Sequence, residues 1–273
     1  MDFRSHLARS FDFRSATNLT LAGLVLAALG VAVVRWLNGA AGEVFLAPVF
    51  VFVIWALLRE IDPDHPWVAL ATGAVAGVWV LADRPVLSAL AAGGLVVAAR
   101  IITSTTGRRP LPIDLIAVTV LGIGIAFTVE GWLAGFAIAV AVYIDDRMRA
   151  EKRLGALAAA VITAVGATLV ATATRAFPDG PPDIVEYLAL LSGVIAVILL
   201  VRDPAPPISQ VDARHAAFID KARLHISRSV VGVAAFLMVL TMGSAAEDAI
   251  VIVVALAVVI VTNEIELLRR RDR

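Results

Sequence analysis

The stretch IDLIAVTVLGIGIAFTVEGWLAGFAIAVAVYI, residues 113–144, decides how this chain is threaded. It is almost continuously apolar and much longer than the roughly 20 residues that cross about 30 Å of hydrocarbon as a helix. Read as one tilted helix, it leaves nine spans and puts the chain ends on opposite sides. Read as a hairpin broken at Val129-Glu130-Gly131, it gives ten spans and puts both ends on one side.

The basic residues choose between the two. With ten spans, 20 of the 23 Lys and Arg fall on the side of the N-terminus: Arg4, Arg9, Arg14; Arg59; Arg100, Arg108, Arg109; Arg147, Arg149, Lys152, Arg153; Arg202, Arg214, Lys221, Arg223, Arg228; and Arg269, Arg270, Arg271, Arg273. Only Arg35, Arg84 and Arg175 lie opposite. Cytoplasmic loops carry the excess of Lys and Arg, so this side is read as cytoplasmic, with both termini inside. The nine-span threading would move nearly half of these charges across.

Working outward, spans are expected near 18–37, 44–58, 67–82, 85–103, 113–128, 131–144, 154–176, 184–201, 229–245 and 248–267. The fold class is all-α, a polytopic membrane helix bundle forming one membrane domain. Within it, residues 1–16 form an interfacial or disordered segment, 17–112 a first four-span unit, 113–146 a central hairpin and 147–273 a second four-span unit. Apolar residues make up 60% of the chain, charged residues 17%, and mean hydropathy is +0.90, outside the balance of a soluble globular domain. Formal net charge is zero, so no global field draws the chain to nucleic acid, and the lack of Cys excludes disulfides and thiolate chemistry. The excess of Arg over Lys fits a GC-rich prokaryotic genome, and the expected location is the plasma or inner membrane.

Two segments outside the spans have patterns of their own. Phe3, Leu7 and Phe11 recur beside Arg4, Arg9 and Arg14, which suits either a helix lying on the membrane surface or a basic tail. The connection 202–228 opens on Pro204, Pro206 and Pro207, and its part 208–228 brings Val211, Phe218, Ala222 and Ile226 near one face. It is expected to form a surface-lying amphipathic helix. There is also an internal echo: IWALLREIDPDHP (54–66) and VILLVRDPAPP (197–207) both read as an apolar run, Arg, an acid and Pro. Spans 1–4 and 7–10 would then be parallel repeats, because four spans per unit keep one orientation.

Polar groups gather where spans meet the cytoplasmic side. The candidate site is Arg59, Glu60, Asp62, Asp64, Asp145, Asp146, Arg202 and Asp203. Such carboxylates can hold Mg²⁺ against a diphosphate while arginines contact phosphate oxygens; they can equally pair with one another and cap helices. REIDPDHP (59–66) and IDDRMRAEKRLGALAAA (144–160) resemble the two acidic loops of the intramembrane prenyltransferases, which follow spans two and six. The resemblance implies Mg²⁺ and a polyprenyl diphosphate bound at those loops. It departs from the family at the ligands: Ile54-Trp55-Ala56-Leu57-Leu58 stands where the first motif has Asn-Asp-x-x-Asp, and Asp145 and Asp146 are adjacent rather than four apart.

The leading functional expectation is a small permease of unknown substrate, from the compact ten-span architecture. The alternatives are a lipid-processing enzyme of the resembling type, for which Mg²⁺ is the only cofactor implied, and a non-catalytic membrane scaffold subunit. Expected partners are membrane lipids and either further copies of the chain or another membrane subunit.

Overall fold

The computed structural model describes residues 15–84, 86, 88–105, 110–128, 131–149, 153–173, 183–202, 204, 206–207, 210–211, 214–242 and 248–271. The segment before residue 15, Arg108, Arg109, Glu130 and Asp203 lie outside the described residues. Ten α-helices follow one another: α1 Ala16–Leu37, α2 Leu46–Ile61, α3 Pro66–Leu81, α4 Ala89–Thr103, α5 Pro112–Ile125, α6 Gly131–Met148, α7 Leu154–Ala173, α8 Asp183–Val201, α9 Lys221–Met242 and α10 Ile250–Arg271. A short 3₁₀ turn, Gly42–Phe45, leads into α2.

Five of these are long and apolar enough to cross a bilayer: Ala16–Leu37, Gly42–Ile61, Leu154–Thr172, Lys221–Thr241 and Ile250–Arg270. Helices α3, α4 and α5, of 16, 15 and 14 residues, are apolar but rise only about 21–24 Å at 1.5 Å per residue. That is short of the hydrocarbon thickness, and α6 carries Asp145, Asp146 and Arg147 in its last turns.

The break inside 113–144 falls where the sequence puts it. Helix α5 begins on Pro112, whose missing N–H is no loss in the first turn, and the Asp114 carboxylate accepts the Leu111 N–H at 2.9 Å. It stops at Ile125, and the Thr128 hydroxyl donates back to the Ile125 carbonyl at 2.8 Å. Gly131 then starts α6; a Cβ there would run into the Ile125 carbonyl and the Thr128 hydroxyl, so the turn needs glycine.

Segment 208–228 departs from its expectation. Gln210–Val211 and Arg214–Phe218 pair as an antiparallel two-stranded ribbon, and Lys221–Arg228 is the beginning of α9 rather than a separate surface helix. Asp220 caps that start, its carboxylate accepting the Ala222 N–H at 2.8 Å. The reason these turns leave the surface is their inner face: Leu224, Ser227 and Arg228 are buried among neighbouring helices.

Helix α2 is the centre of the bundle. Phe50, Ile54, Leu57, Leu58 and Ile61 are almost wholly enclosed, and α2 packs against α1, α3, α4, α9 and α10. Helix α4 packs on α6 and α9, α6 on α5 and α7, and α8 on α9. The outside is apolar too: Leu26, Val34, Val75, Val78, Ile116, Val120, Leu169 and Val197 all stand exposed. A surface this rich in large aliphatic groups is compatible with acyl chains around it. Helix α1 buries only Leu21, Ala28 and Ala32, a narrow stripe, and leaves most of its apolar surface outside the bundle.

Candidate functional site

The ends of α2, α4, α6, α8 and α10 meet the beginning of α9 at one end of the bundle, and several polar residues of that end, Glu60, Asp62, Asp145 and Arg228 among them, are buried. Glu60, in the last turn of α2, is fully enclosed. Its carboxylate accepts from Arg100 Nε at 2.7 Å, from the Thr105 hydroxyl at 2.8 Å and from the Thr103 hydroxyl at 3.2 Å. This fastens the end of α2 to the end of α4.

Asp62 lies just beyond α2 and is 4% exposed. Its Oδ1 faces His65 Nδ1 at 3.0 Å and Arg228 at 3.3 Å; its Oδ2 accepts the Thr262 hydroxyl at 2.6 Å. Arg228, 5% exposed, also donates to the Ile61 carbonyl at 2.6 Å and to Asn263 Oδ1 at 3.1 Å, so one guanidinium joins α9 to α2 and α10.

Asp145 is 3% exposed on the inner face of α6. Arg149 holds it with two N–H groups at 2.7 and 2.9 Å, and Arg223 adds a third at 2.7 Å while also donating to the Ile102 carbonyl at 2.9 Å. Ser227 donates to the Ala99 carbonyl at 3.4 Å. The first two turns of α9 therefore reach α2, α4, α6 and α10 through three side chains.

Removing such charges from water is expensive, and each carboxylate is compensated here by a nearby guanidinium. His65 is the half-exposed member of the layer, and it holds its proton above the usual imidazole range. The hydrogen bond to Asp62 is the main cause; burial opposes it, and the charges of Asp62, Asp64 and Glu266 add to it.

Of the residues singled out in the sequence, Glu60, Asp62 and Asp145 belong to this buried layer. Arg59 donates to the Pro63 carbonyl at 2.6 Å and shapes the turn after α2. Asp64 is half-buried in that turn. Asp146 accepts the Arg153 N–H at 3.0 Å across the α6–α7 connection. Arg202 forms a two-pronged pair with Glu264 at 3.0 and 2.8 Å on the exposed side of α8 and α10. Together with Arg228 and Asn263 that pair rims a cleft of roughly 210 Å³, counting its open mouth, with Leu199 and Val259 in its walls.

The layer does not fit the Mg²⁺-holding role implied by the prenyltransferase resemblance. Asp62 and Asp145 face different arginines, and no group of three His, Asp or Glu arranged to hold a metal ion occurs among the described residues.

Several members were not singled out in advance: Arg100, Thr103, Thr105, Arg223, Arg228, Thr262 and Asn263. For Arg228 a signal existed, because it lies in phase with Leu224, Val231 and Ala235, the buried stripe of α9. A charge in that stripe must meet a partner inside. Compared with known protein families, characterised proteins and solved structures, the chain matches none.

Proposed function

We propose that the chain is a small multi-span membrane permease whose cytoplasmic end is closed by the buried ionic layer. The observation that carries this reading is the bridging of α2, α4, α6 and α10 to α9 by Arg223, Ser227 and Arg228. A buried ion pair adds little stability over an apolar pair of the same size, and its best-attested use is to specify or switch an arrangement. A cross-link of this kind at one end of a helix bundle suits a pathway that opens and closes there.

In this proposal the chain crosses a prokaryotic plasma or inner membrane ten times, with both termini inside. Residues 17–112 and 147–273 are parallel repeats around the central hairpin 113–146. The shorter helices α3, α4 and α5 cross where the bilayer thins or where neighbours shield their ends. The lipid-enzyme alternative needs carboxylates open to a metal and a diphosphate, and the arginine pairing of Asp62 and Asp145 weighs against it.

The chain has no Cys, so single-cysteine variants need no background removal. An impermeant maleimide added to intact cells is expected to label a cysteine at Ala41 and to spare one at Ala222; the reverse pattern overturns the orientation. Proteoliposomes challenged with a panel of urea, glycerol, amino acids and sugars are expected to swell faster than protein-free vesicles for at least one solute. Equal rates across the panel overturn the permease reading.

A further inference from the structure

We propose that Asp62 and His65 form a proton-binding site open to the cytoplasmic face, and that the proton it takes up frees the Arg228 guanidinium of α9 from Asp62, loosening the junction of α9 with the end of α2. The site stands on its own geometry rather than on the permease reading; within that reading the proton becomes the coupling ion.

Three features of the geometry converge. First, Asp62 is buried, and His65, half-exposed and 3.0 Å from it, connects the carboxylate to water. A proton arriving at His65 Nε2 leaves the ring as imidazolium with its Nδ1–H on Asp62 Oδ1; no other bond changes.

Second, His65 and Arg228 address the same carboxylate oxygen. With His65 neutral, Arg228 is the cation on that oxygen. Once His65 is charged, two cations address one carboxylate oxygen, and like-charge repulsion opposes keeping both on it. Arg228 holds the longer bond, 3.3 Å, and has other acceptors in the Ile61 carbonyl and Asn263, so it is the partner that gives way. By linkage, His65 binds its proton more tightly once Arg228 has withdrawn, which is the differential affinity a ligand needs to shift two states.

Third, the surroundings of Asp62 tolerate a change of charge. The single hydroxyl hydrogen of Thr262 has three acceptors within reach: Asp62 Oδ2 at 2.6 Å and the Val258 and Val259 carbonyls, each at 3.0 Å. It can donate to a carboxylate or turn inward and accept. Asp145, by contrast, accepts three guanidinium N–H groups at 2.7–2.9 Å.

The charged groups around the site are few. Asp64 and Glu266 face His65, and Glu266 is itself held by Arg270 with Arg269 nearby. Arg228 faces Asp62 from α9, Arg202 and Glu264 pair on the α8–α10 side, Arg100 and Glu60 pair on the α4 side, and Arg59 is tied to Pro63. A second histidine, His225, stands three residues before Arg228 on α9, and its buried Nδ1 has no hydrogen-bond partner among the described residues.

The test uses a single cysteine at Val259, which is fully buried in the wall of the α8–α9–α10 cleft, in the full chain in nanodiscs. Its maleimide labelling rate is divided by that of a cysteine at exposed Ala222, so that the reagent's own pH dependence cancels. The ratio is expected to rise about tenfold between about pH 8.5 and 5.5, the change that one unit of differential proton affinity gives.

His65→Gln is expected to flatten the response, Asp62→Asn to hold the ratio high at both pH values, and His225→Gln to leave it as in the unaltered chain. A flat ratio in the unaltered chain, a His65→Gln variant that still responds, or loss of the response in His225→Gln overturns the proposal. Solute flux is not read here: a flat ratio sinks the proton site and leaves the permease reading standing, while absence of swelling sinks the permease reading alone.

Discussion

The two ends of this bundle are joined by different physics. At the end where α9 begins, Glu60, Asp62 and Asp145 are buried against Arg100, Arg228, Arg149 and Arg223. Toward the other end, helices meet through glycine. Gly73 and Gly77 on α3 lie against the backbone and Val51 side chain of α2, and Gly135 on α6 lies against the Gly122 carbonyl of α5. The one ion pair found there among the described residues, Arg35 with Asp83 at 2.6 Å, is exposed. Glycine contacts hold by van der Waals packing and have nothing to titrate, whereas charge pairs can exchange partners. The end able to change its connections is the one rich in arginine.

The largest expected effect follows from breaking that end at its most connected residue. Arg228→Ala leaves Asp62 buried without its guanidinium and strips a donor from the Ile61 carbonyl and from Asn263. Removing one partner of a buried pair costs about 3–5 kcal/mol, and a loss of that size is expected in reversible denaturant unfolding of the detergent-solubilised chain. The double variant Asp62→Asn with Arg228→Ala is expected to recover more than half of it, because no unpaired charge remains. A double variant as unstable as the single would mean that packing, not charge, holds this end.

The contrast between the ends also separates what was legible in the sequence from what was not. Helix positions and the break before Gly131 follow from apolar run length and from glycine's small size, both local properties. The ionic layer is not local: Arg228 meets Ile61, Asp62 and Asn263 across chain separations of 167, 166 and 35 residues, and Asp145 meets Arg223 across 78. Charge counting assigns Arg223 and Arg228 to the cytoplasmic side and says nothing of their partners, since it weighs each residue alone. The expected surface helix over 208–228 rests on Val211, Phe218, Ala222 and Ile226 alone, and Arg228 in the buried stripe of α9 does not enter that pattern. Among the candidates, Glu60, Asp62 and Asp145 are members of one layer, but Asp146 and Arg202 bind elsewhere, because neighbours in sequence at a helix end point in different directions.

The glycine end is tested by adding a single methyl group. In Gly135→Ala the new Cβ would collide with the Gly122 carbonyl oxygen, and backbone cannot yield as a flexible side chain does. Overpacking of this kind costs about 1–3 kcal/mol, measured by the same unfolding experiment. The loss is expected to be insensitive to pH, since no titrating group is involved. Gly93→Ala on α4 is the control, because its Cβ would meet nothing within 4 Å, and it is expected to be neutral or slightly stabilising in the helix. A Gly135→Ala variant as stable as the unaltered chain would show that α5 and α6 can separate without penalty, and the distinction between the ends would fail.

The smallest effect belongs to the exposed pair. Arg35 holds the Asp83 carboxyl below the usual carboxylate range through their hydrogen bond. A carboxyl whose proton affinity is lowered by folding lends stability above its unfolded pKa, and that contribution is lost as pH falls through the folded value. Both side chains are open to water, where such pairs are screened and contribute little. Asp83→Asn is therefore expected to leave unfolding at neutral pH unchanged within error, with or without added salt. A clear destabilisation that disappears in high salt would make this pair a second electrostatic clasp. The opposite end would then share the chemistry of the first, and the asymmetry that assigns opening to the arginine-rich end would have to rest on burial alone.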